Sequence, residues 1–170
     1  MSKAFTREEA DGPNIPELPP LASTLPLGAK NYMTPDGAAL LHEELVRLVE
    51  VSRPQLVASR DDPDSKLQLA RVDQRIIQLE QSLQSAEVVQ PPLEETDVVR
   101  FGAAVVVREE NGEESIYRIV GVDETDFDRG WVSWLSPIAK ALVNARLGER
   151  VRFKLPSGEE DLWIVGISYE

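Results

Sequence analysis

The sequence predicts an α+β protein: an N-terminal antiparallel coiled-coil hairpin followed by a compact antiparallel α+β domain. Three observations carry this. Leu69, Val72, Ile76, Leu79, Leu83 and Ala86 recur at intervals of three and four, a heptad seam. Pro91 and Pro92 then end that periodicity, and short β-prone runs parted by Asn111-Gly112, Asp128-Arg129-Gly130 and Pro156-Ser157-Gly158 replace it. Between the third and fourth runs, Ser136-Pro137 opens one brief helix.

Residues 1 to 31 form a leader in which Pro13, Pro16, Pro19, Pro20 and Pro26 punctuate apolar positions of no regular spacing, so an extended or disordered segment is expected. The hairpin occupies residues 32 to 90. Thr34, Pro35 and Asp36 supply a hydroxyl cap, a preset φ and a carboxylate at the positive end of a helix dipole. A helix should run from Pro35 to about Arg60, with Leu41, Leu45, Leu48, Val49 and Leu56 along one stripe. Pro54 falls inside it and should bend the helix or remove a hydrogen bond. Asp61, Asp62, Pro63, Asp64 and Ser65 make the hairpin tip, where Asp62 caps the second helix. Helices of about 24 residues would each be about 36 Å long.

Acidic residues 91 to 97 form a linker, and residues 98 to 170 form the α+β domain. Its strands are expected at Ala104–Val107, Ser115–Val120, Trp131–Leu135, Arg150–Leu155 and Asp161–Tyr169, and its helix at Ile138–Ala145, closed by Gly148. Trp131, Trp134, Trp163 and Phe153 are the expected packing anchors.

Composition narrows the function. Among 170 residues, 18 Lys+Arg stand against 30 Asp+Glu, a net charge of −12, which opposes a whole-chain grip on nucleic acid or anionic membrane. With no cysteine and one histidine there is no disulfide, thiolate metal site or Cys nucleophile, so any metal must meet carboxylates. His42, beside acids only, reads as an exposed helix residue. No apolar run reaches a membrane-spanning length and no signal pattern opens the chain, so a cytoplasmic location is expected. Arg47, Arg53, Arg60, Lys66, Arg71 and Arg75 alternate with acids along the arm; they read as a solvated face, with steering of RNA as the alternative.

Several segments together resemble the bacterial Gre factors, GreA and GreB: Tyr32-Met33-Thr34-Pro35-Asp36-Gly37, Glu43-Glu44-Leu45, Arg53-Pro54, Phe101-Gly102-Ala103, Tyr117-Arg118-Ile119-Val120-Gly121, Asp123-Glu124 and Ser136-Pro137-Ile138-Ala139-Lys140-Ala141-Leu142. The resemblance implies an FKBP-like C-terminal domain that docks on the secondary-channel rim of core RNA polymerase through Ser136, Pro137, Ile138 and Ala139. It implies a coiled-coil arm that enters the pore, and contact with nucleic acid only through the elongation complex. In cleaving members two tip carboxylates help hold the polymerase's Mg²⁺; Asp61 and Asp62 are the candidate pair here, with Asp64 beside them, and no cofactor of the chain's own is expected.

Two features depart from the family. The tip run Gly-Asp-x-x-Glu-Asn-x-Glu/Asp-Tyr is missing, and the arm is short by about a dozen residues, about 9 Å of reach per helix. A short arm is reminiscent of Rnk, a polymerase-binding relative. Leu135 stands where Asp or Asn commonly precedes Ser-Pro. The expected function is therefore a polymerase-binding regulator of elongation without an active site of its own. The alternatives are an active transcript-cleavage factor, a peptidyl-prolyl isomerase suggested by the implied fold, and an interaction module that dimerises through the hairpin.

Overall fold

A computed structural model describes residues 25–169; the expected leader lies mostly outside them. Its last residue, Asn31, is already structured. Strand β1 (Asn31–Met33) pairs in parallel with β2 (Ala86–Val88), fastening together the chain that enters and the chain that leaves the hairpin. Buried Asn31 donates its amide to the Ser82 carbonyl (3.0 Å) and to Ser85 Oγ (3.1 Å) at the end of the second long helix. Neither strand is foreshadowed by alternation, because each has only three residues.

Helix α1 (Pro35–Arg47) starts where expected: Thr34 Oγ1 accepts the Gly37 N–H at 3.0 Å. Pro54 neither breaks the first arm helix nor simply bends it. Residues Leu48–Ser52 form a π-helical turn in which the Arg53 N–H reaches back to the Leu48 carbonyl, and α2 (Arg53–Ala58) begins with Pro54 in its first turn. There a proline has no intrahelical N–H to lose. After the tip, Asp62 Oδ2 accepts the Ser65 N–H (2.9 Å) and hydroxyl (3.0 Å), and α3 runs Pro63–Ser85.

The helices pack antiparallel about buried Met33, Leu41 and Leu79, with Ala38, Leu45, Leu48, Leu83 and Ala86 around them. Val49, expected on the same stripe, is 43% exposed. A helix with a single partner buries one face, and Leu48 takes it. Arg75 clasps Glu44 with two bonds of 2.9 and 2.8 Å, and Arg53 meets Asp73 at 2.7 Å. These pairs bridge the two helices rather than running along one. The Arg75 guanidinium holds the Glu44 carboxyl below its ordinary range, and Glu44 in turn raises Arg75.

The C-terminal domain carries a five-stranded sheet in the order β5-β4-β3-β7-β6, comprising β3 (Ala104–Arg108), β4 (Glu114–Val120), β5 (Trp131–Ser133), β6 (Arg150–Leu155) and β7 (Gly158–Ser168). The sheet is mixed, not wholly antiparallel. Strands β4 and β5 run parallel, because the intervening chain turns back through a 3₁₀ turn (Val122–Glu124) and a tight turn ending at Gly130. Gly130 has φ +71°, and a Cβ there would overlap the Ile116 carbonyl, so glycine is needed on both counts.

Helix α4 (Pro137–Leu142) covers one face of the sheet, burying Ala139 and Leu142 against Val105, Val107, Ile119, Leu162 and Ile164. It ends three residues before the expected Ala145, since Asn144 adopts φ +69° and the following backbone pairs with Val99. Two expected anchors lie elsewhere. Trp163 sits between core residues Leu162 and Ile164, so the period of two turns it to the opposite face. Trp131 lies outside the core, with the Arg118 and Arg129 guanidiniums 5.1 and 5.2 Å from its ring centroid. Phe153 and Trp134 do pack on the core.

Candidate functional site

Three regions hold the residues singled out by sequence, and each is built differently. At the arm tip, Asp61, Asp62 and Asp64 are all exposed. Asp62 uses its carboxylate as the N-cap of α3, while Asp64 lies in the first turn, near the positive end of the helix dipole. Among the described residues no three His, Cys, Asp or Glu side chains gather to hold a metal ion.

The second region is the Ser136–Ala139 loop. Ser136 Oγ accepts the Ala139 N–H at 3.3 Å and Pro137 occupies the first helical turn, the pattern of a helix start. The four residues do not share one surface. Pro137 is exposed, Ser136 and Ile138 are half-buried, and the Ala139 methyl lies wholly in the domain's own core. Leu135, just upstream, donates its N–H to Ser133 Oγ at 3.2 Å. A protein approaching this loop meets Pro137 first. Of the neighbouring aromatics, Trp134 sets its ring at 63° to Tyr32, 5.0 Å between centroids, while Trp131 faces the Arg118 and Arg129 guanidiniums.

The third region is the junction of arm and domain, to which the sequence by itself assigns no role. Glu124, only 8% exposed, points its carboxylate at the start of α1. It accepts the backbone N–H of Thr34 (3.0 Å), the backbone N–H of Gly121 (2.8 Å) and the Thr34 hydroxyl. A Cβ on Gly37 would overlap this carboxylate, and one on Gly121 would overlap the Tyr32 carbonyl. Around it the Ser82 hydroxyl donates to Asp123, Arg118 pairs with Asp36 at 3.3 Å, and Tyr32 packs against Phe101 and Trp134. The signal in the sequence is Gly37 itself. Glycine is a poor first-turn residue unless something occupies the place of its side chain.

Next to Phe101 in the chain, Arg100 donates its N–H to the Tyr169 hydroxyl (3.0 Å), which itself donates to the Val98 carbonyl (2.8 Å), and burial raises the Tyr169 pKa. Among the described residues, no helix is long and apolar enough to cross a membrane.

The described residues thus form a helical arm joined to an α+β domain through the Glu124 junction. Residues 94–169 match the family "Transcription elongation factor, GreA/GreB, C-term". The chain is 38% identical over 154 positions to transcription elongation factor GreB of Neisseria meningitidis serogroup B, covering 82% of this chain and 94% of that protein. It is 34% identical over 164 positions to GreB of Pseudomonas aeruginosa, covering 89% and 95%. The chain belongs to the GreA/GreB family of transcription elongation factors.

Among solved structures, the Thermus thermophilus GreA factor homolog Gfh1 is 27% identical, covering 82% of this chain and 99% of that one, with a TM-score of 0.39. A GreA/GreB factor from Nitrosomonas europaea is 24% identical at 0.41, covering 82% and 100%. At such TM-scores the shapes are not equated. The sequence alignments carry a further fact. The matched 82% of 170 residues is about 139, about 15 fewer than the 154 positions aligned with the Neisseria protein. The Pseudomonas alignment gives about 151 against 164, a shortfall of about 13.

Proposed function

We propose that the chain regulates transcription elongation by binding core RNA polymerase at the rim of its secondary channel, the FKBP-like domain docking through the loop around Pro137 and a shortened coiled-coil arm pointing inward. The observation that carries the reading is the combination of similarity over nearly the full length of the GreB proteins with a shortfall of 13 to 15 aligned residues. We place that shortfall in the arm, whose sequence lacks the tip run of the cleaving members. Divided over two helices it withdraws the tip by about 10 Å at 1.5 Å per residue. Metal coordination tolerates only tenths of an ångström, so a tip so retracted occupies the channel without completing a cleavage site.

Asp62, one of the two candidate carboxylates, is also engaged as a helix cap, which supports the same conclusion. Contact with nucleic acid is then indirect, and the protein works in the cytoplasm, where polymerase is. The test adds purified protein to stalled, backtracked elongation complexes. Slowed or competed polymerase without shortened RNA is the expected result. Extendable cleavage products that vanish with Asp61→Ala or Asp62→Ala would establish the cleavage role instead. Failure of core polymerase to retain the protein, in a pull-down repeated with a Pro137 variant, would remove the docking reading altogether.

A further inference from the structure

We infer that Glu124 is a positioning residue that sets the bearing of the arm on the domain, so that the place where the domain docks dictates where the tip arrives. The inference rests on the channel-binding reading for its functional consequence, but not for its geometry. Few connections are available to do this work. Residues 89–97 between β2 and the domain contain no helix or strand, and β1 and β2 belong to the arm's own base. Among the described residues, what joins the two units is the junction of Tyr32, Thr34, Asp36 and Ser82 with the domain, and Glu124 is its one buried carboxylate.

Its three donors come from both sides. Gly121 belongs to the domain, whereas the Thr34 N–H and hydroxyl belong to the first residue of the arm's helical segment. The Thr34 hydroxyl donates to Glu124 while its oxygen accepts from Gly37, so the cap that starts α1 and the clasp that holds the arm are one chain of bonds. A carboxylate is an acceptor only, and here each partner is a donor, as an anion at a helix N-terminus requires. The missing Cβ atoms of Gly37 and Gly121 allow the approach. Residues 90 positions apart in sequence are thereby held at direct hydrogen-bond distance.

The lever makes the constraint matter. Helix α3 has 23 residues and is about 35 Å long, so a rotation of about 10° at the junction moves the tip by about 6 Å. That is comparable with the retraction inferred for the tip, and large against the width of any specific contact. The other tethers are the Arg118–Asp36 pair, with Asp36 well exposed and screened by solvent, the Ser82 hydroxyl on exposed Asp123, and Tyr32 packed on Phe101 and Trp134; none of them sets a buried carboxylate between arm and domain.

The chain has no native cysteine, so spin labels can be placed at Gln55→Cys on the arm and Glu160→Cys on the domain, both exposed. Pulsed electron–electron double resonance on the full chain should give a narrow distance distribution. Glu124→Gln should broaden it at least twofold, while polymerase affinity changes by less than about threefold and the effect on elongation falls about tenfold. Should Glu124→Gln fail to fold, Gly37→Ala displaces the carboxylate from the other side and is read in the same way. An unchanged distribution in a folded variant overturns the inference, as does a broadened one that leaves the effect on elongation intact. Absence of wild-type binding to polymerase would refute the channel reading, while the distances would still decide whether Glu124 fixes the arm.

Discussion

Replacing Leu79 by alanine tests how the arm is held together. Leu79 is 1% exposed and shares its small core with only two other buried residues, Met33 and Leu41. Three carbons leave the core, about 2.4 kcal/mol at 0.8 kcal/mol per methylene, and a residual cavity adds to that. The cavity term is modest here, because Ala38, Leu45 and Leu83 are only partly buried and can settle inward. The sum is about 3 kcal/mol. With an m-value of about 1.5 kcal/mol per molar urea for a unit this small, the arm's midpoint falls by about 2 M. Two tryptophans, 131 and 163, report on the domain, the third, Trp134, also touches Tyr32 at the root of the arm, and most of the helix lies in the arm. Ellipticity at 222 nm should therefore lose its midpoint well before tryptophan fluorescence does. A shift below 1 kcal/mol would refute the packing of Leu79, and coincident shifts of both signals would refute the separation of arm and domain into distinct cooperative units.

Three further outcomes are expected. Acid should weaken the arm through Glu44: its pKa is lower folded than unfolded, so the unfolded chain binds more protons and stability rises with pH. The contribution, about 1 kcal/mol for a partly exposed pair, is full above the ordinary value near 4.5 and is lost as pH falls through the folded value; Glu44→Gln should abolish that slope in urea titrations. Gly130→Ala introduces both a strained positive φ and an overlap with the Ile116 carbonyl, and should cost the domain about 2–3 kcal/mol in thermal melts followed by fluorescence. Tyr169→Phe removes one donated and one accepted bond and should lower the domain's melting temperature by several degrees, for about 1–2 kcal/mol.

How much the chain discloses about itself depends on how local each cause is. The seam from Leu69 to Ala86 is legible because its spacing reports a single facing helix, and α3 turns Leu79 and Leu83 inward. Pro54 announces a difficulty but not its solution, since a bend, a lost bond and a widened turn all accommodate the missing N–H. The parallel course of β5 cannot be read, because alternation in three residues says nothing of direction. Trp163 is misplaced when side-chain size is trusted over its neighbours; Leu162 and Ile164 already claim the inner face. The tip acids and the Ser136-Pro137 cap are visible as residue types, yet that Ala139 is spent on the core depends on how α4 lies across the sheet. Glu124 is the extreme case. An acid in a short 3₁₀ turn looks solvated until the chain 90 residues upstream folds over it.

The β1–β2 ladder has a practical corollary. It clips the finger shut at its root, so the bend at Ser59–Asp62 is not required to keep the two rods side by side. A nick there, or a foreign peptide spliced between Arg60 and Asp61, should leave a shaft that still stands. The fingertip is thus an exchangeable cartridge, in which natural variation or the protein engineer can install new chemistry without rebuilding the handle.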